Sequence, residues 1–340
     1  MANEFPLEKR VAIVCDFDLT LTEQYMQIPL FEAYFDNIKD AYKGTKDKNG
    51  NVIKFEHPSD YFKIVDSWAE PNNGVAYVTQ ILTDIRLGVF PELTNEDLKQ
   101  FGSKIELAPG LPAFFSRMKK KWENQCDIKF YIISVGFEEM IKGSAIAEHV
   151  DGIYGTKLVS RLHKLGKIDK PILDGVANIM TPFSKTKSII EIAKGGKENI
   201  DKLMGSEEYE LDYRNIITIG DGLSDVSQFA YLTNKGSLSI CVYKIEDKQA
   251  FDRIMGNETV RDRVSALLQR DYRSNSMMNQ YINKNIYRII HKECNFDQSV
   301  LNREKKKKIN DPKLRKVVKD HLETCSECNG LYSFAWEPPR

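Results

Sequence analysis

The sequence predicts an α/β protein built on a parallel sheet. Three observations carry that prediction: short unbroken apolar runs rich in β-branched residues, helix-periodic segments between them, and polar or glycine residues where the runs stop. The first run, Val11-Ala12-Ile13-Val14-Cys15, ends abruptly in Asp16. Continuous apolar character, rather than alternation, suits a strand covered on both faces.

The remaining elements follow in order. From Glu23 to about Leu107 the pattern turns helical and aromatic, with Tyr25, Phe31, Tyr34, Phe35, Tyr61, Phe62 and Trp68. It reads as the core of a small helical subdomain, with an aromatic substrate box as the alternative. Gly110 to Lys121 carries Leu111, Phe114, Phe115 and Met118 at helical spacing, and Ile128 to Val135 is a second strand closing on Ser134-Val135-Gly136. Between Gly152 and Ser184, the runs Ile153 to Val159 and Lys167 to Ile172 flank a turn at Leu165-Gly166 and predict a hairpin. Thr186 to Lys194 is helical through Ile189, Ile190 and Ile192. Asn215 to Ile219 is a third strand running into Gly220-Asp221-Gly222, and Ser237 to Tyr243 a fourth. In parallel α/β sheets ligands gather at the carboxyl ends of the strands.

With 41% hydrophobic and 29% charged residues, the 340-residue chain has material for a real core and is neither a membrane protein nor a disordered one. Forty-nine basic residues balance forty-nine acidic ones, so the overall field gives no reason to expect nucleic acid. The balance is uneven: residues from Phe251 to Arg340 carry a net +6, leaving −6 on those before, which marks a separately built tail. Cys15, Cys126 and Cys241 read as small core hydrophobes. No signal-peptide pattern opens the chain and no stretch of 18 apolar residues occurs, so the expectation is a cytoplasmic, reduced protein without structural disulfides.

Asp16-Phe17-Asp18-Leu19-Thr20 sets two carboxylates two residues apart at a strand end, which extended geometry would point to one face. Alone, such a pair more often caps a turn. Its companions change the reading: Ser134 at the end of the second strand, Lys185 opening a helix after Thr181-Pro182, and Asp221 with Asp225 inside Gly220-Asp221-Gly222-Leu223-Ser224-Asp225. Lys187 competes with Lys185, but only Lys185 has Ile189 and Ile192 at the fourth and seventh positions beyond it; Lys187 has Glu191 at the fourth.

These four motifs, in this order, resemble those of the haloacid dehalogenase superfamily over about Val11 to Val242. Ser134-Val135-Gly136-Phe137, the hairpin and the helical insertion resemble its phosphoserine phosphatase branch. The resemblance implies a Rossmann-like core over 1–22 and 108–250, a helical cap over 23–107 closing on the site, and a mainly helical C-terminal extension over 251–340. It implies Asp16 as nucleophile forming an aspartyl-phosphate and Asp18 as general acid and base. Ser134 and Lys185 would stabilise the transferring group, with Thr20, Val135 and Gly136 lining the phosphate site. Magnesium would be held by Asp16, the backbone carbonyl of Asp18, Asp221 and Asp225. Dehalogenases lack an acid at the place of Asp18 and ion pumps have threonine there, so the resemblance implies a phosphatase acting on a small phosphorylated metabolite or a phosphomutase. Glu32 and Lys39 in the insertion are as readily solvated helix positions as substrate contacts.

The tail carries the basic block Arg303-Glu304-Lys305-Lys306-Lys307-Lys308, a solvated surface or a contact for nucleic acid or an acidic partner. A regulatory binding protein that uses this tail is the alternative to an enzyme. His291, Cys294, His321, Cys325 and Cys328 have the chemistry of a closed structural zinc site, although unligated thiols or a redox pair fit the same residues. Leu331 to Arg340, with Phe334 and Trp336, reads as an arm docked on the body or as a partner motif.

Overall fold

A computed structural model describes residues 5–70, 74–162, 171–291 and 311–325. Seven strands lie among them: β1 (Arg10–Cys15), β2 (Asp127–Phe137), β3 (Gly152–Leu162), β4 (Pro171–Asn178), β5 (Ile216–Gly220), β6 (Leu238–Tyr243) and β7 (Ala266–Gln269). They form one sheet in the order β4-β3-β2-β1-β5-β6-β7, parallel throughout except for the antiparallel pair β3-β4.

The central strand explains its own sequence. Val11, Ile13 and Cys15 of β1 face one apolar layer, whereas Ala12 and Val14 face the other. The first layer is completed by helices α6 (Ala113–Trp122) and α12 (Met277–His291), through Phe114, Phe115, Met118, Ile282 and Ile286. The second is completed by α8 (Ser184–Ala193) and α9 (Val226–Asn234), through Ile189, Ile192 and Leu232. Each such side chain, fully buried, contributes about 1.5–3 kcal/mol. Cys15, Cys126 and Cys241 are buried and unbridged.

The residues between β1 and β2 include helices α1 (Ile28–Ala33), α2 (Phe35–Ala41), α3 (Phe62–Trp68), α4 (Gly74–Arg86) and α5 (Asn95–Gly102). Phe31 is their centre, its ring 4.4 Å from Tyr61 and 5.4 Å from Phe62. Buried Asp84 accepts hydrogen bonds from Tyr42, Tyr61 and Gln80. The chain enters and leaves this segment side by side: Thr22 bridges Leu107, Ala108 N donates to Leu21 O, and Glu23 N donates to Glu106 O. A second attachment is made by α7 (Glu138–Gly143), whose backbone touches that of α5. A Cβ on Gly143 would lie 2.0 Å from Lys99 O, and one on Gly102 2.1 Å from Met140 O.

The structure departs from the expected elements in three places. β2 continues past Val135 to Phe137 with a register break against β3. Among the described residues the hairpin's second strand is Pro171–Asn178, which takes in the end of the expected run at Pro171 and Ile172 and continues six residues beyond it. The expected turn at Leu165-Gly166 lies outside the described residues. This edge strand ends in exposed positions, so it leaves no apolar run to read. The expected mainly helical extension from residue 251 also contains a strand, because Ala266–Gln269 pairs with β6 and the following helix begins at Met277. Short apolar runs do not distinguish strand from helix by period. The sheet therefore runs past residue 250, and α12 is tied to the core by a bond from Trp122 Nε1 to Asn283 Oδ1. Helices α10 (Lys248–Gly256) and α11 (Glu258–Arg261) connect β6 to β7, and a last helix covers Pro312–Thr324. No helix of the described residues is long and apolar enough to cross a membrane.

Candidate active site

The site sits at the carboxyl end of β1, between those of β2 and β5. Asp16 is still in register with the sheet, its amide donating to Ile219 O at 2.8 Å. The chain then turns back, and Met26 N donates to Asp18 Oδ1 at 2.6 Å. Both carboxylates are buried.

Lys185, on the first turn of α8, is fully buried, with Nζ 2.8 Å from Asp16 Oδ1 and 2.7 Å from Asp225 Oδ1. Lys187, about 200° further round the helix, is exposed. Asp225 follows β5 on a short turn and folds back over Gly220, where a Cβ would sit 2.1 Å from Asp225 Oδ2. The glycine before Asp221 thus makes room for the second acid of its own motif. Ser224 Oγ donates to Asp16 Oδ2 at 3.2 Å.

On the β2 side, Ser134 is buried, and its Oγ accepts from Gly136 N at 3.1 Å, so its own hydrogen is available for another acceptor. Gly136 packs closely: a Cβ there would lie 2.2 Å from the Met26 side chain and 3.2 Å from Asp18 Oδ2. Val135 O accepts from Thr156 Oγ1. Thr20 is buried with its Oγ1 unpaired.

Burial, together with the charge of Asp16, pushes the Asp18 carboxyl up to about 7. Asp221 and Asp225 are raised for the same two reasons. Burial alone would lower Lys185, but Asp16 and Asp225 outweigh it and its ammonium is held charged. One ammonium therefore stands among four carboxylates. Among the described residues, Asp16, Asp221 and Asp225 form the one group of acidic, His or Cys residues that could hold a metal ion, their ligand atoms lying within 4.8 Å of one another. Asp225 Oδ2 is buried without a hydrogen-bond partner. An all-oxygen set with an orphaned carboxylate oxygen and excess negative charge fits a hard divalent cation.

Four separate segments, the turn after β1, the end of β2, the first turn of α8 and the turn after β5, thus bring Asp16 and Asp18, Ser134, Lys185, and Asp221 with Asp225 together at the sheet's carboxyl edge. The chain is 30% identical over 259 residues to an uncharacterized protein of Borreliella burgdorferi, covering 72% of this chain and 86% of that one, and the two belong to one family. No protein-family model matches the chain. Among solved structures it is similar to a phosphoserine phosphatase in apo form, at 13% identity and a TM-score of 0.46, over 81% of this chain and 98% of that one. It is also similar to cytosolic 5'-nucleotidase IIIB bound to cytidine, at 14% identity and a TM-score of 0.45, over 84% and 86% of the two chains.

Two participants escape the motif reading. Ser224 lies inside the quoted acidic motif, where a hydroxyl beside an acid was the available signal. Met26 contributes only its backbone amide, which no side-chain pattern announces. Of the zinc candidates, Cys294 and Cys328 lie outside the described residues, as do the basic block and Leu331 to Arg340. His291 ends α12 against the Tyr287 ring, and His321 and Cys325 share the last helical turn. Glu32 is exposed, and Lys39 pairs with Asp36 at 2.6 Å.

Proposed function

We propose that the chain is a magnesium-dependent phosphomonoester hydrolase that works through an aspartyl-phosphate on Asp16, with a small phosphorylated metabolite as substrate. The observation that carries this reading is the pairing of two carboxylates with opposite tasks. Asp16 pairs with the Lys185 ammonium at 2.8 Å, while the Asp18 carboxyl, close by, is pushed up to about 7. A nucleophile must be charged, and an acid-base catalyst works best with a pKa near the working pH.

In the first step an Asp16 oxygen attacks phosphorus, the bond to the leaving oxygen breaks, and Asp18 gives its proton to the departing alkoxide. In the second, ionised Asp18 takes a proton from water, the water oxygen attacks phosphorus, and the bond to Asp16 breaks, releasing phosphate and restoring both carboxyl groups. Lys185 and the Ser134 hydroxyl offset charge on the transferring oxygens, which matters because hydrolysis of this class is slow enough uncatalysed to need acceleration of up to about 10²¹. Asp16, Asp221 and Asp225 would hold magnesium, which when bound screens the repulsion between the Asp16 carboxylate and an anionic phosphate.

The test is phosphate release from a broad phosphomonoester panel, with magnesium and with a chelator, beside Asp16→Asn. The expected result is magnesium-dependent release that falls at least about a thousandfold in the variant. Undiminished release by Asp16→Asn removes the covalent mechanism, and phosphate passing to an added acceptor alcohol rather than to water would make the enzyme a phosphotransferase.

A further inference from the structure

We propose that Arg270 and Tyr272, just beyond β7, are positioning residues that hold the turn from Asp16 to Thr20 in its working shape. The proposal builds on the reading of Asp16 and Asp18 as nucleophile and acid-base group. Neither Arg270 nor Tyr272 touches those carboxylates; each binds the backbone that carries them. Arg270 Nη1 donates to Leu19 O at 2.7 Å, and Tyr272 Oη donates to Thr20 O at 3.0 Å. Two successive carbonyls of the catalytic turn are thus satisfied by side chains 251 and 252 residues further along the chain.

The turn needs holding. Leu19 has φ of 55°, a left-handed conformation uncommon for an aliphatic side chain and one that persists where the surroundings over-determine it. Thr22 Oγ1 accepts from Leu19 N at 3.1 Å on one side of that residue, and Arg270 takes its carbonyl on the other. Leu19 follows Asp18 directly, so relaxation of its backbone would swing the Asp18 carboxyl away from Asp16.

The clamp is itself rigid. Arg270 N donates to Tyr243 O, Tyr272 N to Pro109 O, and Arg117 Nη2 to Tyr272 O. A Cβ on Gly110 would lie 2.3 Å from the Tyr272 carbonyl carbon, and the Tyr272 ring packs edge-on to Phe114 at 5.2 Å. Both side chains are buried. Arg270 Nη2 also pairs with Glu23 Oε2 at 3.0 Å, so the same guanidinium fastens the point where the chain enters the helical segment.

Tyr272→Phe, Arg270→Gln and Arg270→Lys test this, read by steady-state kinetics on the best panel substrate and by amide hydrogen exchange in peptides covering residues 17–26 and β6. Misplacement of a catalytic group costs up to about a hundredfold in rate, so kcat is expected to fall about tenfold in Tyr272→Phe and about a hundredfold in Arg270→Gln. KM should stay within about twofold, since the loss falls on the reacting geometry rather than on substrate binding. Arg270→Lys should recover part of kcat. Exchange should quicken in 17–26 while β6 stays as in wild type. Three results would overturn the clamp: unchanged kcat in all variants, reduced kcat with unchanged exchange in 17–26, or exchange rising equally in β6. If Arg270→Gln does not fold, Tyr272→Phe, which removes one hydroxyl, decides alone. If wild type shows no Asp16-dependent turnover, it is the phosphatase reading that fails, and the exchange pattern by itself decides whether the turn is held by Arg270 and Tyr272.

Discussion

Lys185 is buried completely, yet it is charged, because two carboxylate oxygens lie within 2.8 Å of its ammonium. Removing one partner of a buried ion pair leaves the other charge uncompensated, at a cost of about 3–5 kcal/mol. Lys185→Met is therefore expected to lower the urea stability of chelator-treated protein at pH 7.5 by about 3 kcal/mol. The loss should shrink at pH 5, where Asp225, its carboxyl pushed up to about 6 by burial and the charge of Asp16, can take up a proton instead. A variant as stable as wild type at pH 7.5 would show that the carboxylates are not both charged in the folded state. The choice between Lys185 and Lys187 was legible because helical period separates residues two apart onto different faces. Ser224 and the Met26 amide were not legible, one concealed beside an acid and the other being backbone. Arg270 and Tyr272 were beyond reach for a different reason: their partners are carbonyls some 250 residues away, and a bond to a carbonyl leaves no trace in the partner's side chain.

Among the elements, β1, β2, β5 and β6 were readable because strands covered on both faces are written as unbroken apolar runs. β4 and β7 were not, one being an edge strand with exposed positions and the other only four residues long. The attachment of the helical segment was equally hidden. Its aromatic cluster joins the apolar layer beneath the sheet, and its helix α5 crosses α7 at glycine against backbone. Gly143 has ordinary helical surroundings in sequence, but a methyl group there would meet Lys99 O at 2.0 Å, and both partners are main chain that cannot rotate away. Gly143→Ala is expected to destabilise the protein by about 1–3 kcal/mol through this overpacking, measured by urea denaturation. An alanine that left stability unchanged would mean that α5 and α7 separate freely, and with them one attachment between the helical segment and the sheet.

Across the whole molecule, the neutral net charge conceals four acids, Asp18, Asp84, Asp221 and Asp225, whose pKa values are all raised. Burial is the leading cause for Asp18, Asp84, Asp221 and Asp225, reinforced in the site by the charge of Asp16. A carboxyl whose folded pKa is raised binds more protons folded than unfolded, so its contribution to stability is fully present below about 3.8 and is lost as pH rises through the folded value. For Asp18 that window closes near 7. Asp271 is shifted the other way, because hydrogen bonds from Arg273 outweigh its burial, and its contribution disappears only as pH falls below the ordinary carboxylate range. Between these limits the metal-free protein should lose stability steadily with rising pH: Tm in a chelating buffer should be lower at about pH 8 than at about pH 5. Magnesium should reverse this, since a cation bound by the ionised carboxylates favours the folded state more as their protons leave. The increase in Tm on adding magnesium should therefore be larger at the higher pH, and smaller at both in Asp221→Asn. A metal-free Tm that rose across the same interval would mean that these acids are ionised at no cost, and that the charge surplus around Asp16 is already neutralised by the protein itself.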